Sequence, residues 1–308
     1  MSEKQQIITL MGRQLPSAVV ARVVELAQQA GLQLESTKAL SAPLLQASAT
    51  SKACVELTLH GEPADAPALR AAFLALADEL SVDIALQQAS RYRADRRLAV
   101  FDMDSTLIEA EVIDELAKAH GIGDRVSEIT ERAMRGELDF KASFRERLAL
   151  LKGLDIGVLD AIGAQLRLTE GTELLFAELK RLGYKTAILS GGFTYFAQQL
   201  QAKLGIDYVF ANALEVVDGK CTGVAVEPIV DAQRKADLLQ ELAAQEGLTL
   251  EQTVAVGDGA NDLPMLALAG LGVAFRAKPL VRQSAQQAIS TLGLDGVLYL
   301  MGVRDSQA

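Results

Sequence analysis

Tryptophan is absent from this 308-residue sequence, which also contains only two cysteines and two histidines. The cysteines, Cys54 and Cys221, form neither a Cys-x-x-Cys motif nor a disulfide framework. The histidines, His60 and His120, are too few to build a metal site from imidazole ligands. These shortages exclude a disulfide-built scaffold and a histidine-built metal centre.

A basic excess and long apolar runs are lacking as well. The formal charge is −10, which argues against general binding to nucleic acids or membrane surfaces. No apolar run approaches the length of a bilayer-crossing helix, and the polar residues 1–6 lack the profile of a signal peptide. We therefore expect a soluble cytoplasmic protein with neither nucleic-acid nor membrane partners. Half of the residues are hydrophobic, which is ample for a sizeable core, and the length suggests about two domains.

The first 90 residues show strand and helix periodicity in the order β-α-β-β-α-β, which is the ferredoxin-like pattern. The predicted strands cover residues 7–10, 32–40, 53–60 and 82–87, and the predicted helices cover 16–30 and 67–80. The polar, basic stretch 91–97 follows, and we interpret it as a linker. A nucleic-acid patch is the alternative, but four arginines in an acidic chain give it little support.

Residues 98–308 alternate short apolar strands with helical segments, as in a doubly wound α/β fold with a parallel sheet. The predicted strands cover residues 98–100, 184–189, 207–210, 253–256 and 272–275. Residues 108–168, between the first two strands, are almost entirely helical in pattern, and we predict that they form a cap over the strand ends. An Asp-Gly pair at 218–219 between apolar residues predicts a β-hairpin.

Two aspartates, Asp102 and Asp104, follow the first of these strands directly. Ligands bind at the carboxyl ends of strands in open α/β sheets, and crowded carboxylates repel each other unless a cation or a shared proton relieves them. The pair predicts a metal site, a nucleophile with an acid–base partner, or both. A calcium loop is excluded, because it needs Gly and Glu where this chain has Leu107 and Ile113.

Polar groups follow three further elements. Ser190-Gly191-Gly192 follows the second strand, where glycines let backbone N–H groups approach an anion. Lys235 lies near the start of a helix over about 232–245, capped by Asp231, where positive charge is unfavourable. The segment Gly257-Asp258-Gly259-Ala260-Asn261-Asp262 follows the fourth strand and suits a hard cation. Taken singly, each also fits a plain turn, a helix cap or, for Lys235, a solvated side chain.

Together these groups fit phosphoryl transfer. Mg²⁺ prefers carboxylate, carbonyl, water and phosphate oxygens. A serine hydroxyl, backbone amides and a lysine can hold the nonbridging phosphate oxygens, and an aspartate carboxylate is a competent nucleophile toward phosphorus.

Four segments, in order, resemble the motifs of the haloacid dehalogenase superfamily of phosphatases. They are Asp102-Met103-Asp104-Ser105-Thr106, Ser190-Gly191-Gly192, Lys235 and residues 257–262. The resemblance covers residues 98–295 and is closest to the branch of the family that hydrolyses phosphoserine. Residues 144–153 and the hairpin at 215–223 are typical of that branch. Four cap residues stand where it has its substrate contacts: Glu111, Met134, Phe140 and Arg147.

The resemblance implies an Mg²⁺-dependent phosphomonoesterase that hydrolyses O-phospho-L-serine in the last step of serine biosynthesis. Asp102 is then the nucleophile that forms an aspartyl phosphate, and Asp104 is the general acid and base. The implied Mg²⁺ ligands are the Asp102 carboxylate, the Asp104 main-chain carbonyl and Asp258.

The same resemblance assigns the groups that surround the substrate. Ser190, Gly191 and Lys235 hold phosphate oxygens, while Asn261 and Asp262 orient substrate, water, metal and Lys235. In the cap, Arg147 suits the substrate carboxylate and Glu111 suits its ammonium group. Met134 and Phe140 form an apolar lid that excludes bulk water.

Residues 1–90 resemble an ACT-like regulatory domain. Such domains often carry a Gly-x-Asp-x-x-Gly turn, of which this chain keeps Gly12 but has Gln14 and Ser17 at the other two positions. Packing or homodimerisation therefore stands beside amino-acid binding as a role for this domain. Two other functions stay open for the whole chain. One is a transferase that passes the phosphoryl group to an alcohol such as homoserine, and the other is an amino-acid sensor without catalysis.

Overall fold

The computed structural model describes residues 5–42, 51–135 and 137–305, apart from the side chain of Met134. The N-terminal elements are β1 (Gln5–Gly12), α1 (Ser17–Gln29), β2 (Gln33–Ala39), β3 (Ala53–His60), α2 (Ala66–Leu80) and β4 (Asp83–Gln88). The four strands form an antiparallel sheet in the order β2-β3-β1-β4. This arrangement confirms the predicted ferredoxin-like fold.

The strand β1 of the N-terminal sheet is buried on both faces, so that it is buried along its length instead of at alternate residues, whereas the edge strand β2 is exposed throughout. Ile8 and Leu10 on one face pack with Val23 of α1 and Phe73 of α2. Met11, on the other face, belongs to the large core of the second domain. The sheet therefore lies between its own helices and the rest of the chain.

The second domain contains a six-stranded sheet. Its strands are β5 (Leu98–Phe101), β6 (Lys185–Phe193), β7 (Tyr208–Asn212), β10 (Thr253–Gly257), β11 (Leu271–Phe275) and β12 (Gln287–Ile289). All neighbours are parallel, in the order β12-β11-β10-β5-β6-β7. The predicted doubly wound parallel sheet is thus confirmed. β5 lies inside the sheet, and all four of its residues are fully buried.

The remaining elements surround this sheet. Four helices fill the predicted cap insertion: α3 (Val112–Ala119), α4 (Gly123–Met134), α5 (Phe140–Leu150) and α6 (Val158–Gln165). The other helices are α7 (Thr172–Arg181), α8 (Thr194–Leu204), α9 (Ala232–Gln245), α10 (Leu263–Leu268), α11 (Pro279–Ser284) and α12 (Gly296–Leu300). The predicted hairpin is β8 (Leu214–Val217) with β9 (Lys220–Ala225), and Asp218 and Gly219 both adopt positive φ at its turn.

Charged side chains cross the contact between the two sheets, which we call the sheet–sheet interface. Arg13, after β1, makes two hydrogen bonds of 2.7 Å to Glu170, which lies between α6 and α7. Lys52 pairs with Asp295 at 2.6 Å. Asp83 at the start of β4 is 3% exposed, and its carboxylate accepts backbone N–H groups at 2.7, 3.0 and 3.4 Å from residues 290–292.

The segment 91–97 is more firmly anchored than a solvated linker would be. The Arg93 guanidinium contacts Glu56 at 2.7 Å, and Arg96 is 4% exposed and donates to the Gly270 carbonyl. Two of the four arginines are therefore committed to contacts within the protein, while Arg91 and Arg97 are exposed. Across the residues that the structure describes, no helix combines the length and the apolar character that crossing a bilayer requires.

Candidate active site

The two aspartates lie near the middle of the carboxyl edge of the parallel sheet. β5 is flanked by β10 and β6, and the N–H of Asp102 donates to the Val256 carbonyl at 2.9 Å. Asp102 is only 5% exposed. The backbone turns sharply after Asp104, with Ser105 at φ +57° and the N–H of Leu107 bonded to the Met103 carbonyl at 2.8 Å. This turn leads directly into the cap, so the pair lies where cap and sheet meet.

Lys235 is fully buried between two carboxylates. Its Nζ donates to Oδ1 of Asp102 and to Oδ1 of Asp262, each at 2.7 Å. The interpretation as a solvated lysine is therefore wrong, and the two carboxylates compensate for its unfavourable place in the first turns of α9. Burial disfavours the charge, but the adjacent carboxylates outweigh it and raise the pKa of Lys235. The side chain stays cationic at neutral pH.

The loop after β10 is shaped around Asp262. The second carboxylate oxygen of Asp262, Oδ2, accepts the N–H of Gly259 at 3.0 Å. A Cβ at Gly257 would come within 2.3 Å of Asp262 Cγ, so glycine is required for this close approach. Asn261 lies on the same loop and packs against Gly259, because a Cβ added at Gly259 would come within 2.2 Å of Asn261 Oδ1. The Asp258 carboxylate accepts a weak hydrogen bond from the Thr106 hydroxyl at 3.5 Å.

Three carboxylates at this edge are close enough to hold a metal ion. Oxygen atoms of Asp102, Asp258 and Asp262 lie within 4.8 Å of one another. Burial is the largest cause that raises the pKa of Asp102 to about 8 and that of Asp258 to about 7, and the charge of Asp262 adds to both. A divalent cation would relieve this repulsion, and carboxylate oxygens are ligands that hard cations prefer. Because both Asp262 oxygens are engaged, the open donor atoms belong to Asp102 and Asp258.

Asp104 lies against the turn at the end of β6. That strand extends to Phe193, further than predicted, with a shift of pairing register between Leu189 and Phe193. A Cβ at Gly192 would come within 2.7 Å of Asp104 Oδ2, and the Gly192 N–H donates to the buried Ser190 hydroxyl at 2.9 Å. Burial, followed by the charges of Glu111 and Asp102, holds the pKa of Asp104 well above its ordinary value. Its Oδ1 is buried without a hydrogen-bond partner among the described residues.

Sequence reasoning missed Asn212, the last residue of β7. This side chain is 2% exposed, donates to the Gly191 carbonyl at 2.8 Å and accepts the Val230 N–H at 2.9 Å. A polar residue at the end of an apolar strand, at the same edge as Asp102, is the signal that could have identified it.

The cap brings three of its four predicted residues over this edge. Glu111 accepts the Ser105 hydroxyl at 2.7 Å. Phe140 lies across the turn, because a Cβ at Gly191 would be 2.8 Å from Phe140 Cζ. Arg147 makes no ion pair with any described residue, although the charges of Asp114, Glu111 and Asp104 all act on it. Burial lowers the pKa of this guanidinium. Its Nε donates a long hydrogen bond of 3.4 Å to the Ser143 carbonyl, and no described carboxylate neutralises it, so this partly buried positive group can take an anion.

The fourth cap residue, Met134, ends α4, and its side chain lies outside the described part of the structure.

Four matches to known proteins bear on this site. The family of haloacid dehalogenase-like hydrolases matches residues 99–267. The phosphoserine phosphatase of Streptomyces coelicolor is 44% identical over 299 residues, which cover 97% of this chain and 71% of that protein. The crystal structure of the HAD family hydrolase t0658 from Salmonella enterica serovar Typhi covers 98% of this chain and 99% of its own, with 33% identity and a TM-score of 0.84. The structure of a phospho-aspartyl intermediate analogue of phosphoserine phosphatase covers 67% of this chain and 98% of its own, with 43% identity and a TM-score of 0.63.

Proposed function

This chain belongs to the haloacid dehalogenase-like hydrolase family, and from that premise we propose that it hydrolyses O-phospho-L-serine to L-serine and phosphate. The observation that carries the proposal is one juxtaposition. A nucleophile, an acid–base group and a buried cation lie beneath a cap that presents one free guanidinium and one carboxylate. The nucleophile, the acid–base group and the buried cation suit a phosphate ester, and the guanidinium and carboxylate of the cap suit the charged groups of an amino acid.

Asp102 is the proposed nucleophile. Lys235 holds its Oδ1 at 2.7 Å and favours the ionised carboxylate, which opposes the effect of burial on its pKa. One oxygen of the Asp102 carboxylate attacks phosphorus in line, a P–O bond to Asp102 forms, and the bond to the serine oxygen breaks. Water then attacks the aspartyl phosphate, and phosphate leaves with the Asp102 carboxylate restored. The solved intermediate analogue of a related phosphatase supports this route.

Asp104 is the proposed proton carrier. The raised pKa of Asp104 favours the protonated side chain, which can donate its proton to the departing serine oxygen. The resulting carboxylate then takes a proton from the attacking water. The unpartnered Oδ1 supports this role, since a buried oxygen without a protein partner is available to a reacting group.

Ser190, the Gly191 N–H and Lys235 are proposed to hold the phosphate oxygens and to spread the charge that develops on them. Mg²⁺ fits the open oxygens of Asp102 and Asp258, together with the Asp104 main-chain carbonyl, and when bound it neutralises charge on the phosphoryl group. Asp262 is instead proposed to position Lys235, because both of its oxygens are already engaged. Asn261 is proposed to contact the substrate from the same loop.

Substrate choice is assigned to the cap. Arg147 would bind the serine carboxylate bidentately, and Glu111 would accept the ammonium group. Phe140, which lies against the Gly191 turn, would keep water from the phosphate, and Met134 is proposed as a second apolar residue with the same role.

The wider setting belongs to the same proposal. We place the reaction at the last step of serine biosynthesis in the cytoplasm. We also propose residues 1–90 as a packing or homodimerisation domain, which sedimentation of the full chain and of a chain lacking them would test.

The deciding experiment is phosphate release from L-phosphoserine by the purified chain, with Mg²⁺ and with a chelator. We expect turnover with Mg²⁺ and almost none with the chelator. Adding homoserine should leave free phosphate as the product, whereas a phosphorylated alcohol would mean that the enzyme is a transferase. No turnover under any condition would leave the amino-acid sensor as the better account.

A further inference from the structure

Asn212 has no part in the steps above, yet its amide joins two segments of the phosphate site. Its Nδ2 donates to the Gly191 carbonyl at 2.8 Å, and its Oδ1 accepts the Val230 N–H at 2.9 Å. The residue is 2% exposed. A buried amide with both ends paired across different segments is costly to replace, because each lost partner leaves a backbone group unpaired.

The chemistry of the two partners fixes the orientation of this amide. A backbone carbonyl can only accept a hydrogen bond and a backbone N–H can only donate one. A single short side chain must therefore offer a donor on one side and an acceptor on the other. An amide meets this demand, whereas a carboxylate lacks the donor and an aliphatic side chain lacks both.

The two segments carry different residues of the proposed phosphate-binding site. Gly191 belongs to the turn with Ser190, and Val230 precedes Asp231, whose side chain caps α9 and whose carbonyl accepts the Lys235 N–H at 2.9 Å. The turn has little freedom of its own. A Cβ at Gly191 would lie 2.8 Å from Phe140 Cζ and 3.6 Å from the Val230 carbonyl.

We infer that Asn212 is a positioning residue that sets the spacing between the Ser190–Gly191 turn and the segment leading to Lys235. The inference rests on the proposed function, since it requires that the Ser190–Gly191 turn and Lys235 bind the same phosphate group. Asn212 does not contact the phosphate in this account. It acts through the Gly191 carbonyl, whose direction sets where the adjacent N–H groups point.

The test measures the binding of inorganic phosphate to the full chain by calorimetry in MgCl₂, together with thermal melting of each variant. Asn212→Asp keeps the acceptor for Val230 but places an oxygen against the Gly191 carbonyl. We expect phosphate to bind this variant about 5- to 100-fold more weakly. If Asn212→Asp does not fold, Asn212→Ser replaces it, because it shortens the side chain without adding a charge.

Thr194→Val is the matched control. The Thr194 hydroxyl shares its one proton between the Ala211 and Asn212 carbonyls, at 3.1 and 3.2 Å. The control therefore removes hydrogen bonds at the same end of β7 and keeps the bond from Asn212 to Gly191. It should melt earlier and still bind phosphate within about twofold of wild type. Unchanged affinity in the Asn212 variants, or an equal loss in Thr194→Val, would overturn the inference.

A second readout uses the isosteric acid. Once protonated, the introduced carboxyl group of Asn212→Asp can donate to the Gly191 carbonyl as the amide did. The ratio of variant to wild-type phosphate affinity should therefore recover as the pH falls, and a ratio that stays flat would count against positioning. Because these measurements use phosphate alone, failure of wild type to hydrolyse phosphoserine would refute the substrate and leave the Asn212 result to be judged by itself.

Discussion

The carboxyl edge of the parallel sheet and the sheet–sheet interface both bury charge, but they balance it differently. At the interface each buried carboxylate has matched partners: Asp83 accepts three backbone N–H groups and Asp295 pairs with Lys52. At the edge, the one lysine is shared by two carboxylates, and two more lie beside them. Matched charge holds a structure in place, whereas surplus charge of one sign is available to a cation, a proton or a substrate.

The comparison predicts opposite costs for mutation. Removing a carboxylate from the edge should cost activity and little stability, because it relieves repulsion among like charges. Removing one from the interface should cost stability and little activity, because it strands the groups that the carboxylate satisfied.

The largest expected effect is that of Asp102→Asn. The amide cannot attack phosphorus usefully, so kcat for phosphoserine should fall by more than about 10³-fold, because no aspartyl phosphate can form. The asparagine oxygen can still accept from Lys235, so the melting temperature measured without metal should not fall. Beryllofluoride should inhibit wild type as a mimic of the aspartyl phosphate and should not inhibit the variant. Activity above a tenth of wild type would refute the nucleophile.

Asp104→Asn tests whether Asp104 carries protons while Asp102 is the nucleophile. The variant keeps the main-chain carbonyl for Mg²⁺ but cannot carry a proton, so turnover should fall about 10²- to 10⁴-fold. Calorimetry should find nearly normal binding of Mg²⁺ and substrate. Lost metal affinity with fast residual chemistry would mean that the roles are assigned wrongly.

Arg147→Ala tests whether the Arg147 guanidinium in the cap binds the substrate carboxylate. Breaking such a buried charged pair commonly costs about 2–5 kcal/mol, so kcat/KM for phosphoserine should fall roughly 30- to several-thousand-fold. Phosphoethanolamine lacks the carboxylate and should be a poor substrate that is little affected by the substitution. The ratio of the two losses isolates the contact. Equal losses would show that Arg147 supports the cap or grips phosphate.

Asp83→Ala tests the interface side of the comparison. It leaves three N–H groups of residues 290–292 without their acceptor, so urea unfolding should show a loss of about 1–3 kcal/mol in the free energy of unfolding. The kcat of the folded variant should stay near wild type. Glu79→Ala is the matched control, because Glu79 lies in the same domain and pairs with Arg22 where both side chains are about half exposed. A drop in kcat with unchanged stability would show that Asp83 serves activity and that the interface is not the stabilising region proposed here.

The sequence predicted the edge better than the interface, for a physical reason. Asp102, Ser190 and Asp258 all follow apolar strands, and parallel strands bring such positions to one edge whatever the rest of the chain does. The prediction that Asp231 caps α9 is likewise confirmed, because the capping signal is local. Domain bounds at 90 and 98 stay a prediction.

What the sequence did not reveal depends on contacts between distant segments. The burial of Lys235 requires Asp262, 27 residues away, and the partners of Asp83 lie more than 200 residues away. The short strand β12 and helix α12 were not predicted, because elements of three and five residues give almost no periodic signal.

The smallest expected effect concerns Arg13 and Glu170. Their two hydrogen bonds are well formed, but both side chains are about a quarter to a third exposed, so the pair should contribute only about 0.2–1 kcal/mol in a double-mutant cycle of Arg13→Gln and Glu170→Gln. The hydrogen bonds from Arg13 lower the pKa of Glu170. A lowered carboxylate pKa stabilises the folded chain above the ordinary value of about 4.3, and this stability is lost as the pH falls through the lowered value. The coupling energy from urea unfolding should therefore be present at neutral pH and shrink in acid. A coupling that persists at about pH 2, where carboxylates are protonated, would mean that the two side chains interact through packing and that charge is not what this part of the interface uses.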